Sequence, residues 1–180
     1  MDHTDVQDAL REIADPKVAE SSARFFKTDP GEYSERDQFL GIRVPQVRKI
    51  AREFNQLSLK ETELLLHSDF HEERLCALII LVNKYQRAEK DEQKEIFDRY
   101  LNNTEYINNW DLVDTSAQHI IGSHLSDKKR SLLYKLAKSD NLWERRIAIL
   151  STFYFIKNDD FEDTLAIAEL LLEDEHDLIH

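Results

Sequence analysis

Apolar residues recur along this 180-residue chain with the i, i+3, i+4 spacing of amphipathic helices, and the alternation typical of strands is absent. Only three glycines and three prolines interrupt the pattern. Capping residues, prolines and turn sequences indicate where the helices begin and end. The predicted helices span residues 15–27, 34–40, 44–54, 58–67, 69–85, 89–101, 109–124, 127–138, 141–156 and 160–173. The sequence therefore predicts an all-α fold with short loops and helices arranged in pairs.

A repeated pattern connects three of these helices. The residues that precede Arg74 resemble those that precede Arg146, apart from one added residue in the turn, and Trp110 lies halfway between the two arginines. A period of about 36 residues with two helices per unit is typical of HEAT-like solenoids. We therefore expect one helical-repeat domain over residues 1–180, an α-solenoid superhelix with these three residues at equivalent positions on its concave face. The next equivalent position falls just past residue 180, so we expect the domain to be incomplete at its C-terminal end.

The composition indicates the cellular compartment and argues against a membrane protein or a disulfide-rich protein. The longest uninterrupted apolar run, residues 75–82, is too short to cross a bilayer, and the first residues lack the features of a signal peptide. The single cysteine, Cys76, lies inside that run and excludes a disulfide framework. We expect Cys76 to be a small buried hydrophobic residue. A monomeric protein of the cytoplasm is the expectation.

The net charge of −12 at first argues against a nucleic-acid partner, but its distribution changes the interpretation. Residues 1–40 carry ten acids and five bases, and residues 159–180 carry nine acids without a lysine or arginine. The middle of the chain is therefore slightly basic, and residues 128–146 hold seven bases against two acids. A surface that binds phosphates needs local positive potential and not a basic total. Such clusters are as often simply solvated surface, and that alternative stays open.

The histidines do not form a recognisable metal site, and the possible nucleophiles lie in no known catalytic motif. His67 and His71 are four residues apart but straddle a turn, and His176 and His180 lack the glutamate that a metalloprotease helix places after its first histidine. A third ligand is not evident for either pair, and a glycine-rich phosphate loop is absent from the sequence. We therefore predict neither a metal nor a cofactor.

Trp110 and Asp114 are the most informative polar and aromatic pair. They lie four residues apart near the predicted start of a helix, so their side chains share one helix face. A half-buried tryptophan beside a carboxylate in the first turn is common in proteins of every kind, so the pair alone favours a structural role. Its position in the predicted repeat, in register with Arg74 and Arg146, is what raises the alternative of a functional site.

Four segments in this order closely resemble the AlkD-type DNA alkylation repair family, and the likeness runs from about residue 20 to the end. The segments are Phe39-Leu40-Gly41-Ile42-Arg43-Val44-Pro45 with Arg48-Lys49, His71-Glu72-Glu73-Arg74, Asn109-Trp110-Asp111-Leu112-Val113-Asp114 and Leu142-Trp143-Glu144-Arg145-Arg146. The resemblance implies stacked HEAT-like repeats whose concave face holds duplex DNA. It also implies a glycosylase that removes cationic alkylated purines, such as 3-methyladenine and 7-methylguanine, without a metal or cofactor. A further family tryptophan lies beyond residue 180.

Carried over to this sequence, the family's site comprises Trp110, Asp114 and Arg146. The residue types suit the chemistry: a carboxylate stabilises the positive charge that moves to the sugar, and an electron-rich aromatic face attracts the same charge. Arg146 could hold a backbone phosphate or orient Asp114, and the sequence does not decide between these roles. The predicted DNA-binding residues are Arg43, Arg48, Arg74, Lys128, Lys129 and Arg145. The alternative function is a non-catalytic HEAT-repeat module that binds DNA or a protein partner.

Overall fold

The computed structural model describes residues 1–35 and 37–180, and within these residues it contains helices and no strand. The prediction of an all-α fold is confirmed. The chain divides into two compact units, Met1–Lys84 and Tyr85–His180, which are described separately below. The prediction of a single repeat domain over the whole chain stays a prediction. The α-helices are α1 (His3–Arg11), α2 (Pro16–Phe25), α3 (Val44–Glu53), α4 (Leu59–Leu66), α5 (His71–Tyr85), α6 (Lys90–Asn102), α7 (Trp110–Ala117), α8 (Ser131–Leu136), α9 (Leu142–Ser151), α10 (Phe153–Ile156) and α11 (Glu162–Leu171).

The first unit begins with a helix that was not among those predicted. The carboxylate of Asp2 caps α1 by accepting hydrogen bonds from the backbone N–H groups of Thr4 and Asp5. Helix α1 packs against α3 and α4, and its contribution to the core is limited to Val6 and Leu10, both fully buried. The sequence does carry a signal for this helix, since Val6 and Leu10 have i, i+4 spacing and Asp2 precedes the segment as an N-cap, but the prediction did not include it.

The segment predicted as a helix over residues 34–40 is not helical; residue 36 lies outside the described residues. Gln38 instead forms an isolated bridge with Phe70, and residues 39 and 40 are in neither a helix nor a strand. The buried carboxylate of Glu72 determines this conformation, because it accepts hydrogen bonds of 2.8–3.1 Å from the backbone N–H groups of Leu40, Gly41 and Ile42. A helix would turn these N–H groups toward its own carbonyl groups and leave a buried carboxylate unpaired.

Gly41 is required for this arrangement. Its φ of +80° lies in the left-handed region, and a Cβ at this position would collide with the backbone carbonyl of Asp15 and the amide of Ala19 at the start of α2. The glycine and Glu72 belong to two of the segments that carry the family resemblance. Their structure shows that both segments contribute to the fold of the first unit.

The second unit is organised around α9, which contacts α7, α8, α10 and α11. Equivalent asparagines cap two of these helices: Asn109 accepts a hydrogen bond from the N–H of Trp110, and Asn141 accepts one from the N–H of Trp143. Predicted helix 109–124 is helical without a break from Trp110 to His124, whereas predicted helix 141–156 is divided. Helix α7 continues as a π-helical segment, Gln118–Gly122, and a break at Thr152 separates α9 from α10.

The register of the repeat differs from the predicted one by one residue. The Nη1 atom of Arg74 donates to the carbonyl oxygen of Ser68, six residues earlier, at 2.9 Å. Arg145 makes the same contact with Ser139, also six residues earlier, at 3.0 Å. Arg145 and not Arg146 is therefore the counterpart of Arg74. The one-residue insertion assumed in the turn is wrong, because both arginines close a turn of the same length.

Two expectations from the composition remain: that Cys76 is buried, and that the apolar segments are too short to cross a bilayer. Cys76 is fully buried, and its burial raises the pKa of the thiol to about 12, so the group stays protonated at neutral pH. The prediction that it is a small buried hydrophobic residue is confirmed. Among the described residues, the helices are all too short or too polar to cross a bilayer.

Candidate active site

The centre of the candidate site is an ion pair between two neighbouring helices, α7 and α9. Asp114 is the fifth residue of α7 and Arg146 is the fifth residue of α9. The guanidinium donates from Nε to Oδ1 at 2.8 Å and from Nη2 to Oδ2 at 2.7 Å. This is the planar, bidentate geometry in which an arginine fixes the orientation of a carboxylate most firmly.

The pair is anchored on its arginine side and open on its carboxylate side. The Nη1 atom of Arg146 donates to the backbone carbonyl of Leu178, so all three guanidinium nitrogens have a partner. The side chain of Arg146 is 16% exposed, whereas that of Asp114 is 34% exposed. Asp114 is therefore held in one orientation and still reaches the surface.

Trp110 lies at the first position of α7, where Asn109 caps the helix. Because Trp110 and Asp114 are four residues apart in one helix, their side chains project from the same face. Trp110 is half-buried. The structure thus places a half-buried tryptophan and an oriented carboxylate on one face of α7.

Two contacts behind this face stabilise the position of α7. The hydroxyl groups of Tyr100 and Ser116 lie 2.9 Å apart, and Ser116 also donates to the carbonyl of Leu112 at 2.6 Å. Tyr100 is completely buried, and its burial, together with the negative charge of Asp114, raises the pKa of the phenol. The phenol therefore stays neutral and serves as a hydrogen-bonding support for α7.

A further contact connects the turn before α7 with α9. The hydroxyl of Thr104, in the short 3₁₀ turn Thr104–Tyr106, donates to the Glu144 carboxylate at 2.9 Å. Sequence reasoning did not find this contact or the Tyr100–Ser116 pair. Each joins residues on different helices that share no spacing or motif, so no local signal in the sequence indicates them.

The predicted DNA-binding residues fall into two groups. Arg43, Arg48, Lys128 and Lys129 are exposed. Arg74 and Arg145 are instead engaged in ion pairs within the protein. The side chain of Arg74 is 5% exposed and donates to Asp37 at 2.6 Å, and the same carboxylate lies 3.2 Å from the ring of His71. In this arrangement Arg74 presents no surface to a phosphate.

Arg145 has a structural partner as well. It donates to both carboxylate oxygens of Asp174, at 2.6 and 3.3 Å, and to the backbone carbonyls of Ser139 and Asp140. The hydrogen bonds from Arg145 hold the pKa of Asp174 below its usual value. With 19% of its side chain exposed, Arg145 closes a turn of the repeat and leaves little of its guanidinium for a ligand.

The comparisons with known proteins agree with one another. The family described as "DNA alkylation repair enzyme" matches residues 6–180. Among solved structures, the chain resembles a predicted DNA alkylation repair enzyme from Enterococcus faecalis, with a TM-score of 0.65 and 16% identity over 92% of this chain and 78% of that one. At this identity the likeness shows the shared fold. No curated protein matches the sequence. Because the family match extends over nearly the whole chain, the protein belongs to the DNA alkylation repair enzyme family and has a role in DNA repair.

Proposed function

We propose that this protein is a DNA glycosylase that hydrolyses the N-glycosidic bond of cationic alkylated purines, such as 3-methyladenine and 7-methylguanine, in duplex DNA. The observation that carries the proposal is the Asp114 carboxylate, which Arg146 holds by two hydrogen bonds on the same helix face as Trp110. The family match supports a DNA substrate.

The chemistry requires stabilisation of the sugar more than activation of the base. Alkylation at N3 or N7 gives the purine a positive charge, so it departs as a neutral molecule when the glycosidic electron pair moves to the ring nitrogen. Positive charge then develops on the sugar, and a water oxygen bonds to C1′ and loses a proton. A fixed carboxylate beside C1′ stabilises this charge, and it can also orient the water. Asp114 has the exposure and the fixed orientation that this role requires.

Trp110 supports the same transition state through its ring. The face of an indole attracts a cation, an interaction worth about 0.5–2 kcal/mol depending on its exposure to water. The substrate carries positive charge on the base before cleavage and on the sugar during cleavage. A half-buried tryptophan four residues from the carboxylate can therefore attract the reacting nucleotide throughout the step.

Arg146 acts in this proposal as a positioning residue. The sequence left two roles open, a clamp on a backbone phosphate or an orienting partner of Asp114. Two guanidinium nitrogens bond the carboxylate and the third bonds the carbonyl of Leu178, which supports the orienting role. These bonds use three of the five guanidinium N–H groups, and with 16% of the side chain exposed little of Arg146 is left for a phosphate.

Contacts with the DNA backbone are proposed for the exposed residues of the predicted set, Arg43, Arg48, Lys128 and Lys129. Exposed lysine and arginine side chains bind phosphates at low desolvation cost and release condensed counterions. Arg74 and Arg145 are left out, because their internal ion pairs would have to break first.

The test is the release of 7-methylguanine from a duplex oligonucleotide that contains one such base, measured at a single turnover with excess protein. We expect Asp114→Asn to slow release by about 100-fold or more, the range found when one oriented electrostatic group is removed from an active site. The control is Asp160→Asn, because Asp160 is a similarly exposed carboxylate that also pairs with an arginine, Arg130.

Two outcomes would contradict the proposal. Equal rates for the wild-type protein and Asp114→Asn would remove Asp114 from the mechanism. Binding of the duplex without any release of base by the wild-type protein would instead support the alternative, a DNA-binding module without catalytic activity.

A further inference from the structure

Two consecutive arginines of α9 bond the same short stretch of chain after α11. Arg145 donates to both carboxylate oxygens of Asp174, and Arg146 donates from Nη1 to the backbone carbonyl of Leu178. We call residues 174–178 the anchoring segment. It connects a carboxylate outside the candidate ion pair with the arginine that belongs to that pair.

Hydrogen bonds within the anchoring segment link its two ends. The carboxylate of Asp174 accepts a hydrogen bond from the backbone N–H of His176 at 3.0 Å, and the backbone N–H of Leu178 donates to Nδ1 of His176 at 3.2 Å. Asp174 is thus bonded to Arg145 on one side and, through His176, to Leu178 on the other. A displacement of the Asp174 carboxylate therefore also moves the carbonyl that accepts from Arg146.

Asp174 is well placed to hold the segment. Its side chain is only 7% exposed, so water competes little for its hydrogen bonds. The hydrogen bond from Arg145 lowers the pKa of its carboxyl, partly opposed by burial and assisted by the N–H of His176, so the group stays ionised at neutral pH. Arg145 is itself fixed by the backbone carbonyls of Ser139 and Asp140. The anchor therefore has a rigid base at the start of α9.

The bond to Leu178 adds something that the ion pair alone does not supply. Two hydrogen bonds to one carboxylate fix the guanidinium of Arg146 relative to Asp114, but they leave both long side chains free to move together. The third bond, from Nη1 to Leu178, joins the pair to another part of the chain and fixes the guanidinium plane. Asp114 is 34% exposed, so its orientation depends on this support more than that of a buried carboxylate would.

We propose that Asp174 is a positioning residue of the candidate active site. It holds the anchoring segment on Arg145, and the carbonyl of Leu178 then fixes Arg146. Through Arg146, the segment keeps Asp114 in one orientation before the substrate arrives. The inference rests on the proposed function, since this orientation matters for the reaction only if Asp114 stabilises the sugar during cleavage.

The first experiment follows Arg146 without any catalysis. NMR measures the rate at which its Nε–H proton exchanges with water, and the signal is assigned by its loss in Arg146→Lys. We expect Asp174→Asn to raise this rate about tenfold, the equivalent of one lost hydrogen bond to a charged group. Asp174→Glu keeps a carboxylate for Arg145 and should raise the rate less. An unchanged rate in Asp174→Asn would overturn the proposal.

The matched control is Asp163→Asn. Asp163 is a half-buried carboxylate on α11 that also pairs with an arginine, Arg130, and accepts a hydrogen bond from Tyr134. Its loss should leave the exchange rate of Arg146 unchanged, and an equal rise in both variants would reduce Asp174 to a general stabiliser of the fold. If Asp174→Asn does not fold, Arg145→Lys replaces it with the same expectations, because a lysine keeps the charge but not the two-point contact.

The second experiment measures the single-turnover release of 7-methylguanine together with the affinity for the duplex. We expect Asp174→Asn to slow release about tenfold at unchanged affinity, because the Asp114 carboxylate keeps its charge and loses only its fixed orientation. The double variant Asp174→Asn, Arg146→Ala should be as slow as Arg146→Ala alone. A wild-type rate in Asp174→Asn, or losses that multiply in the double variant, would overturn the proposal.

The two experiments separate this inference from the proposed function. A wild-type protein that releases no base would overturn the proposed function, and the exchange measurement would still decide whether Asp174 holds Arg146 in place.

Discussion

At the scale of single residues, the geometry of one arginine decides between two mechanisms that the sequence left open. A bidentate bond keeps the Asp114 carboxylate in one rotamer before substrate arrives, so little reorganisation is needed as charge develops on the sugar. The guanidinium of the neighbouring arginine, Arg145, instead donates hydrogen bonds to Asp174 and to two backbone carbonyls. Two consecutive arginines thus have different functions, one beside the proposed reaction centre and one in a turn.

His124 gives a prediction for the dependence of stability on pH. Its folded-state pKa lies below the ordinary value near 6.5, because of burial and then the charge of Lys128. As pH falls below 6.5, the unfolded chain gains this proton before the folded protein does, so stability is lost until the folded-state pKa is reached. We expect the free energy of unfolding in urea to fall between pH 7.5 and 5.5, and to fall less in His124→Gln.

The control for this prediction is His180→Gln, because His180 is exposed at the end of the chain. Its loss of stability between the two pH values should equal that of the wild-type protein. An equal pH dependence in the wild-type protein and His124→Gln would show that His124 is not held neutral by its surroundings.

At the scale of helices, the site depends on how closely α7 and α9 pack. Gly122 ends the π-helical continuation of α7, and an added Cβ there would collide with the carbonyl of Ser151, at the end of α9, and would lie 2.8 Å from the Cβ of Tyr154. A residue with a side chain at this position would separate the two helices. The glycine therefore helps to set the distance across which Arg146 reaches Asp114.

Gly122→Ala should destabilise the protein by about 1–3 kcal/mol, the usual cost of adding a methyl group to a closely packed site. The measurement is chemical denaturation, with Lys135→Ala as a surface control that is expected to change stability by less than about 0.5 kcal/mol. A stability equal to that of the wild-type protein would show that the two helices can separate without cost at this point.

The helices themselves were largely predictable from the sequence, and the failures have specific causes. The long apolar run made α5 evident, whereas α1 was missed although its buried residues, Val6 and Leu10, lie on one helix face. The conformation around Gly41 depends on the carboxylate of Glu72, more than 30 residues away, and a local pattern cannot contain it. The register error arose because adjacent arginines at 145 and 146 are equivalent in a sequence comparison. The hydrogen bond to Ser139 identifies Arg145 as the counterpart of Arg74.

At the scale of the whole chain, the acidic total is unevenly distributed, because acidic residues are concentrated at the two ends of the sequence. The segment from residue 159 to 180 has nine acids and no lysine or arginine, and it contacts the site, since Leu178 bonds Arg146 and Asp174 bonds Arg145. Trp110 and Asp114 could be selected from spacing and family resemblance. The role of Arg146 required the structure, since it depends on contacts between distant residues.

The central claim is that Asp114, oriented by Arg146, stabilises the sugar during cleavage. The measurement that tests it most directly is the single-turnover rate of 7-methylguanine release by the wild-type protein, Asp114→Asn, Arg146→Ala and the double variant. If Arg146 acts through Asp114, the double variant will be as slow as Asp114→Asn alone, and Arg146→Ala alone will lose less. Losses that multiply in the double variant, or an Arg146→Ala protein as active as the wild type, would contradict this account.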